Sequence, residues 1–452
     1  MHDTAPKNPS RGLTLLLPLA LSCELIAISA GPKELGMVAA VLFGLFFLGH
    51  WRSLMPYPRR LGLITLALLV CWAAAGKASP DGAARLAESA AYYATFIASL
   101  CLMQCLVRRQ PQLAGLHRLL LAGSPVFRYP RYVLSSLAIG SVLSFGVLNL
   151  LCGSLNRHLE ILGVDEPAAS TGRRGVLVAT LRGYALIPLL APTSVAVAIL
   201  TRELSGLSWL GLLPYGGVAA ALLLLVGWYQ DNRHLQDLNQ HDEVSGTPGL
   251  GRLLGASLLG IGCMLVLAAL THLTATQAAL LLVPCGIGSY LLWVERSPMA
   301  VCRELTDTVA GVRNEIFIFA CSTLLGGLVS QLVSLDGMAD LLVRLPAGLF
   351  LVEAAGLIGI ILLALLGVAP IISLSLISGL LVHLAEQGLP MLGPAIALLC
   401  GYSLAILLSP FSPSALLLAR YANVSTTQVA LYWNGHVALW AVIPVMLLAM
   451  LA

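Results

Sequence analysis

Charged residues are scarce in this chain. Asp, Glu, Lys and Arg make up only 10% of its 452 residues, whereas 58% of the residues are hydrophobic. A soluble domain carries about 25% charged residues, so too few charges are present to cover an aqueous surface. This scarcity excludes a soluble globular protein. The net charge of +4 is dispersed over short loops and does not predict a nucleic-acid partner.

Motifs of the common enzyme and pump classes are also missing. The sequence contains no Walker nucleotide loop, no HExxH, no DDxxD and no Ser-His-Asp pattern, and its ten cysteines form no CxxC pair. No selectivity-filter sequence indicates a channel. We therefore expect no catalytic residues, no metal and no cofactor other than a coupling ion. The cysteines are interpreted as small buried apolar residues.

What the chain has instead is a series of apolar runs, several of them near the length of about 20 residues that spans a hydrocarbon core. They predict an all-α polytopic membrane protein with about eleven transmembrane helices. The predicted spans are 12–30, 36–50, 61–76, 87–106, 175–203, 207–228, 252–272, 275–293, 314–335, 391–420 and 428–451. Two further stretches, Tyr132–Leu155 and Phe350–Leu381, are interrupted by glycine, asparagine or proline and are interpreted as re-entrant hairpins.

Lysine and arginine predict the orientation in the membrane. Of the 25 basic residues, 19 fall in loops on the side of the N-terminus, five fall in the opposite loops and Arg182 falls within a span. Because basic residues concentrate in cytoplasmic loops, we expect a cytoplasmic N-terminus and an extracytoplasmic C-terminus. The expected location is a bacterial-type inner or plasma membrane, crossed many times.

An internal repeat is the strongest single feature. Leu181-Arg-Gly-Tyr-Ala-Leu-Ile-Pro-Leu-Leu-Ala-Pro-Thr-Ser194 resembles Leu399-Cys-Gly-Tyr-Ser-Leu-Ala-Ile-Leu-Leu-Ser-Pro-Phe-Ser412, and the two segments align without a gap. The matches include Gly183 with Gly401, Tyr184 with Tyr402, and Arg202 with Arg420, so the offset in numbering is constant. Four predicted crossings separate the two segments, so the matched spans would run in opposite directions. An inverted repeat of this kind recurs in secondary transporters.

The repeat divides the chain into four predicted parts. They are a peripheral span at 1–31, a first repeat at 32–228, a cytoplasmic linker at 229–250 and a second repeat at 251–452. Each repeat would contain one hairpin followed by one broken helix. The hairpins are expected at about 131–160 and 347–385, and the broken helices at 175–203 and 391–420.

The interruptions in the apolar runs are the predicted binding site. Proline breaks helical hydrogen bonding, and irregular backbone at membrane depth is tolerated only beside protein or a water-filled cavity. Exposed helix N-termini suit anions, and free carbonyl and hydroxyl oxygens suit a cation. The predicted residues for solute or ion binding are Ser144, Gly146, Asn149, Arg182, Pro192, Thr193, Ser194, Gly367, Pro370, Ser373, Ser409 and Ser412.

Two ionisable residues leave alternatives open. Arg182 could pair with an anionic solute, or it could extend towards the membrane interface near Arg173 and Arg174. Glu353 could carry a proton at the mouth of the second hairpin, or it could lie at the outer interface. Asn434 and His436, in the last span, are expected to form hydrogen bonds between helices.

At the end of the second repeat, the sequence Leu407-Leu-Ser-Pro-Phe-Ser-Pro-Ser-Ala-Leu, followed by Val429-Ala-Leu-Tyr-Trp-Asn-Gly, resembles the divalent anion:sodium symporter family of the ion transporter superfamily. The order of spans fits over nearly the whole chain. The hairpin tips differ, with Phe145-Gly146-Val147 and Gly367-Val368-Ala369 where the family has Ser-Asn-Thr. The resemblance implies an elevator mechanism, in which hairpins and broken helices form a transport domain that moves against a scaffold, and a homodimer.

The favoured function is a secondary active transporter. It would move a small anionic solute by symport with Na⁺ or H⁺ through alternating access. The alternative is a membrane-embedded enzyme or flippase that acts on a lipid-linked substrate. Its candidate residues would be Asp231, His234 and Asp242, which lie in the longest polar loop.

Overall fold

A computed structural model of the full chain provides the structure. It describes residues 11–29, 31–32, 34–109, 116–121, 124–143, 146–162, 166–235, 248–271, 273–335, 337–345 and 347–452. Within these ranges the chain forms helices and connecting turns, with no β-strand. The prediction of an all-helical protein is therefore confirmed for the described residues.

The helices are numbered in chain order. The first half contains α1 Arg11–Thr14, α2 Leu16–Ser29, α3 Glu34–Gly49, α4 Pro56–Ala74, α5 Pro80–Cys101, α6 Met103–Arg108, α7 Leu116–Leu121, α8 Arg128–Leu143, α9 Gly146–Leu162, α10 Glu166–Ala185, α11 Ile187–Leu190, α12 Val195–Glu203 and α13 Trp209–Asp231. The second half contains α14 Pro248–Thr271, α15 Ala275–Glu295, α16 Pro298–Gly311, α17 Arg313–Leu332, α18 Met338–Arg344, α19 Gly348–Leu365, α20 Pro370–Glu386, α21 Leu392–Leu408, α22 Pro413–Ala422 and α23 Trp433–Met450.

Side-chain caps define where several of these helices begin. The Ser79 hydroxyl accepts a hydrogen bond from the Gly82 amide at the start of α5, and Ser208 does the same for Gly211 at the start of α13. Thr274 and Gln277 form a reciprocal capping box at the start of α15. These caps satisfy amides that have no partner within the helix.

Nine helical segments in the described part of the chain are long and apolar enough to cross a membrane. Two predicted spans contain apolar helices below that length, namely Leu16–Ser29 and Glu34–Gly49, whereas α14 (Pro248–Thr271) covers nearly all of the predicted span 252–272. Conversely, Gly348–Leu365 reaches the length of a span although its residues were assigned to a hairpin. A multi-pass helical membrane protein follows, while the predicted number of eleven crossings stays a prediction.

The chain folds into two compact units that cut across the two predicted repeats. The first unit consists of Met1–Arg109, Thr271–Leu335 and Ser375–His383, and the second consists of Gln110–Leu270, Asp336–Leu374 and Leu384–Ala452. The first unit therefore contains α1 to α6, α15 to α17 and part of α20, and the second contains most of the other helices.

The first unit is built around α5 and α17, which pack extensively on each other. Trp72, Leu86 and Leu328 form a buried cluster between α4, α5 and α17. At another point, Arg109 lies 2.8 Å from Glu295, and its guanidinium also bonds to Glu304. None of the predicted binding residues belongs to this unit. Its part of α20 is Ser375–His383, which begins after Ser373.

The second unit contains the broken helices. Its most extensive contact is between α19 and α21, and α8 makes the corresponding contact with α10. Both interrupted stretches contain two successive helices, α8 followed by α9 and α19 followed by α20. Helices α8 and α9 pack on each other. Whether either pair enters and leaves on one side of the membrane stays a prediction.

The repeat extends from sequence to helix boundaries. Helix α12 begins at Val195 and α22 begins at Pro413, and these two positions are equivalent in the gap-free alignment of the repeats. The order helix, helix, broken helix, long helix occurs in both halves, as α8 to α13 and as α19 to α23. The predicted repeat is thus also a repeat of secondary structure in the described residues.

Candidate functional site

The two predicted helix breaks exist and have the same backbone geometry. The first lies between α11 and α12 at Ala191–Ser194, and the second lies between α21 and α22 at Ser409–Ser412. In each break the fourth residue donates its amide to the carbonyl of the first, at 3.0 Å for Ser194 and 3.2 Å for Ser412. Ser194 (φ −72°, ψ 133°) and Ser412 (φ −68°, ψ 144°) both have extended backbone.

A hydroxyl in each break is bonded to the end of the preceding hairpin helix. Thr193 Oγ1 donates to the carbonyl of Ser141, in the last turn of α8, at 2.6 Å. Ser409 Oγ donates to the carbonyl of Ala364, in the last turn of α19, at 2.9 Å. Carbonyls at helix ends lack a partner within the helix, so these bonds satisfy groups that would otherwise be unpaired. Each break is thereby positioned against its own hairpin.

Close helix packing explains the repeated glycine of the Gly-Tyr pair. A Cβ on Gly183 would collide with the Val133 carbonyl of α8, and a Cβ on Gly401 would collide with the Leu357 backbone of α19. Only glycine permits such a close approach of two backbones. The shared glycines therefore let each broken helix pack tightly on the first helix of its hairpin.

Repeat-related residues also meet each other. The Ser403 hydroxyl donates to the carbonyl of Ala185, and these two residues occupy equivalent positions in the two repeats. In any pair of segments related by two-fold symmetry, residues near the axis contact their own equivalents. The break residues themselves, 191–194 and 409–412, share no hydrogen bond across the two halves among the described residues.

The second hairpin tip lies against the second break. Gly367 has a positive φ of 92°, which glycine adopts without strain. A Cβ at Gly367 would lie 3.5 Å from the ring of Phe411, so the second tip contacts the second break. Asn149 is exposed on α9 and accepts a 3.4 Å hydrogen bond from Tyr421 on α22. Gly146 begins α9, and Ser144 lies outside the described residues.

The helix that follows each break differs in capping. Ser412 caps its own helix, because its hydroxyl accepts from the Ala415 amide at 3.2 Å, and it also lies 3.0 Å from the Ser414 hydroxyl. The equivalent Ser194 makes no such side-chain cap to α12. The N-terminus of α12 therefore lacks a cap from its own N-cap residue, and a helix N-terminus in this state favours an anion.

Arg182 has a complete set of partners within the protein. Its Nη2 lies 2.7 Å from Asp231 Oδ2 and donates to the Trp433 carbonyl at 2.9 Å, while its Nε donates to Asn434 Oδ1 at 3.0 Å. The remaining Nη1 donates to the Tyr129 hydroxyl at 3.2 Å. Only 4% of its surface is exposed.

This arrangement matches neither alternative considered for Arg182. The guanidinium does not extend to the interface, and a solute could bind it only by displacing a protein partner. We therefore leave Arg182 out of the proposed binding set. Sequence reasoning missed this pairing because Asp231 and Tyr129 lie on two other helices, α13 and α8, at long range in the chain. Asn434 does form the expected hydrogen bonds between helices, and it also donates to the Val429 carbonyl at 2.8 Å.

Among the remaining predicted residues, Pro192, Thr193 and Ser194 form the first break, and Ser409 and Ser412 frame the second. Pro370 begins α20, directly after the second tip. Ser373 is fully buried one turn later, and its hydroxyl has no hydrogen-bond partner among the described residues. Of the predicted residues on the hairpins, Gly367 thus lies against the second break, and Asn149 contacts α22 rather than the first break.

Glu353 is buried inside the protein. Its side chain belongs to α19 and is 1% exposed, and its Oε2 has no hydrogen-bond partner in the described part of the chain. Gly393 and the Ala449 carbonyl lie beside it. A buried carboxyl without a partner is costly to keep ionised, so this position favours a carboxyl that binds a proton.

In comparisons with known proteins, no family model and no curated protein matches the chain. The structure by itself defines a helical, multi-pass membrane protein with two repeat-related helix breaks.

Proposed function

We propose that this protein is a secondary active transporter. It would move a small anionic solute across the inner or plasma membrane by ion-coupled, elevator-like alternating access. One observation carries the proposal: two helix breaks of the same geometry lie at equivalent positions of the repeat, each bonded to the end of its own hairpin helix. A single proline kink needs no functional explanation. Two matched breaks at membrane depth are typical of transporter binding sites.

The repeat contact supports an inverted arrangement. Ala185 and Ser403 are equivalent positions and bond to each other, as expected for residues beside a two-fold axis. The division into two units is also consistent with a scaffold and a transport domain, because the second unit holds both broken helices. The homodimer implied by the family resemblance remains part of the same proposal.

The N-terminus of α12 supports an anionic solute. Its N-cap residue, Ser194, provides no side-chain cap, and a helix N-terminus is equivalent to roughly half a positive charge. The corresponding N-terminus of α22 is capped by Ser412. We therefore propose that the solute carboxylate, phosphate or sulfate lies at the first break rather than the second.

Uptake into proteoliposomes tests the proposal. Purified protein would be reconstituted and assayed with a panel of labelled carboxylates, phosphate and sulfate under imposed Na⁺ and H⁺ gradients. We expect gradient-driven accumulation of at least one anion, and counterflow when the gradient is removed. Folded protein that produces neither flux nor counterflow with any anion would contradict the proposal.

A matched pair of threonines locates the site. Thr193→Val removes the hydroxyl that donates to Ser141, whereas Thr201→Val removes a hydroxyl that bonds only within α12. Loss of one hydrogen bond costs about 1 kcal/mol, so we expect Thr193→Val to reduce uptake by about fivefold or more. Thr201→Val should leave uptake near the level of the unmodified protein. Equal effects of the two substitutions would argue against the first break as the site.

Glu353 supports H⁺ as the coupling ion. If a proton bound there drives transport, Glu353→Gln should abolish uptake driven by a pH gradient but retain solute exchange. A Na⁺-driven protein would respond to a Na⁺ gradient alone, and Glu353→Gln would leave that uptake intact. The two gradients, tested separately, distinguish the coupling ions without knowledge of the natural solute.

The alternative, an enzyme acting on a lipid-linked substrate, is favoured by one observation. His234 Nδ1 lies 3.1 Å from Asp231 Oδ1, and a histidine oriented by a carboxylate is a frequent acid–base pair. Asp242, the third candidate, lies outside the described residues. Under this alternative, His234→Gln should abolish turnover of a lipid-linked substrate while Thr193→Val has no effect. The transporter proposal predicts the reverse pattern for uptake.

A further inference from the structure

A concave site lies away from both helix breaks but within the same unit. It is a cavity of about 730 Å³ where α13 ends, bordered by Arg174 of α10 and by His436 and Trp440 of α23. Asp231, Arg233 and His234 line its edge. Directly beyond, the chain leaves the predicted span Trp209–Leu235. The cavity therefore lies at the end of a membrane-spanning segment, where lipid head groups would be expected.

Cationic groups outnumber acidic ones in this cavity. Arg174 and Arg233 both line it, and Asp231 is the acidic residue among its described lining. That carboxylate is already engaged by Arg182 at 2.7 Å and by His234 at 3.1 Å. Arg174 Nη2 is 3.9 Å from Asp231, which is too long for a hydrogen bond. Arg174 and Asp231 thus form only a long ion pair, and among the described residues that line the cavity two arginines face one aspartate.

The Arg174 guanidinium is the group in this cavity that we expect to bind a ligand. Its Nε is buried and has no hydrogen-bond partner among the described residues. Its guanidinium lies 5.8 Å above the ring of Trp433, and this stacking holds the group in place. The side chain as a whole is 36% exposed, so a phosphate in the cavity could reach the guanidinium and bind it with the geometry that arginine favours.

Three other residues that line the cavity are aromatic and largely exposed. Tyr229 is 93% exposed, Tyr432 is 74% exposed and Trp440 is 68% exposed. Tyr and Trp concentrate at membrane–water interfaces, where an apolar ring meets a polar head group. A free inorganic anion would gain nothing from these walls. A phospholipid has both a phosphate for the arginines and apolar chains for the rings.

We propose that this cavity binds the phosphate of an anionic phospholipid. Arg174 and Arg233 contact the phosphate, and Tyr229 and Trp440 line the path of the glycerol and acyl chains. Basic pockets between membrane helices are known to select such head groups. The lipid contacts α10, α13 and α23, and it therefore fastens the first broken helix to the last span. This inference does not depend on the transport proposal, because none of the residues that line this cavity belongs to either helix break.

Binding in detergent tests the inference. The full chain would be purified in a non-ionic detergent and titrated with short-chain phosphatidylglycerol, short-chain phosphatidylcholine, glycerol 3-phosphate or inorganic phosphate. Bound lipid would be counted by native mass spectrometry, and the shift in melting temperature would report stabilisation. We expect phosphatidylglycerol to bind more tightly than phosphatidylcholine, and the two soluble phosphates to bind weakly or not at all.

Variants in which glutamine replaces arginine test which residues bind the phospholipid. Arg233→Gln alters an exposed side chain and should leave the fold intact, yet we expect it to weaken phosphatidylglycerol binding by about fivefold. Arg174→Gln should have at least that effect. Arg303→Gln removes the same charge from a side chain that is 77% exposed in the first unit and should not change binding.

Several results would overturn the inference. Phosphatidylglycerol and phosphatidylcholine could bind equally, or Arg233→Gln and Arg303→Gln could behave alike. Tight binding of inorganic phosphate that competes with the lipid would assign the cavity to a free anion instead. Because no ion gradient is involved, each of these outcomes leaves the uptake experiment to be judged separately.

Discussion

Arg182 illustrates how tertiary contacts bear on the interpretation of a single residue in a membrane segment. An ionised side chain at membrane depth is costly and is by default a functional candidate. Here the cost is offset by Asp231, whose carboxylate lies 2.7 Å away, and by three further hydrogen bonds. In the structure, Arg182 is a buried residue that links α10, α13 and α23.

We expect Arg182→Gln to destabilise the protein by about 3–5 kcal/mol, because it leaves the Asp231 carboxylate buried without its counter-charge. Unfolding monitored by tryptophan fluorescence in detergent would measure the loss. Arg420→Gln, which neutralises an exposed guanidinium in the same unit, should change stability by no more than about 0.5 kcal/mol.

The double variant Arg182→Gln/Asp231→Asn separates pairing from function. It removes both charges, so it should recover part of the stability lost in Arg182→Gln. If Arg182→Gln is as stable as the unmodified protein but fails to transport an anion, the structural interpretation of Arg182 is wrong and the ligand hypothesis returns.

At the scale of elements, glycine determines how closely the helices around the first break approach. Gly216 of α13 faces the last turn before that break, where a Cβ would collide with the Leu189 carbonyl oxygen. The next residue, Gly217, faces open space with nothing within 4 Å of such a Cβ. Both belong to the same helix, so their intrinsic helix propensities are equal.

These neighbouring glycines give a controlled prediction. Gly216→Ala should destabilise the protein by about 1–3 kcal/mol, because overpacking forces α13 away from the break. Gly217→Ala should be neutral or stabilising by up to about 1 kcal/mol, since alanine favours helix more than glycine does. Melting temperatures of the two variants and the parent, measured in one detergent, decide the matter. A similar loss in both variants would mean that the close contact at Leu189 does not exist.

The elements that could be predicted from sequence are those with local causes. Apolar runs at 275–293 and 391–420 produced helices at the expected places, and Pro192 and Pro410 marked the breaks. The helix α16 at Pro298–Gly311 was not predicted, because its charged residues, including Arg303 and Asp307, resemble a loop by composition. Similarly, the Gly-Tyr match was visible as a repeat, but its reason, close packing on α8 and α19, required the structure.

At the scale of the whole molecule, the two units combine helices from both halves of the sequence. The repeat offers a direct test of the proposed membrane orientation. Ser205 and Thr427 are exposed residues that follow the repeat-related helices α12 and α22. In an inverted repeat, these two positions face opposite sides of the membrane.

We therefore expect Ser205→Cys to react with a membrane-impermeant maleimide added to intact cells. Thr427→Cys should react only after the membrane is permeabilised, because the basic loops predict that its end of α22 is cytoplasmic. The variants would be made in a background without the native cysteines, so that labelling reports one site. Labelling of both cysteines from outside would contradict the inversion, and the reverse pattern would contradict the cytoplasmic N-terminus.

The sequence by itself determined the solvent in which this protein folds, because 58% hydrophobic residues and 10% charged residues are compatible only with a membrane. It also indicated where two helices break, because Pro192 and Pro410 recur in the repeat, whereas Pro214, Pro284 and Pro444 lie inside continuous helices. Only the tertiary structure decided what the polar residues do. The pairing of Arg182 with Asp231, the burial of Glu353 and the basic cavity beside Trp440 all join residues from separate helices. Such contacts depend on packing between distant segments, which no local pattern in the sequence records.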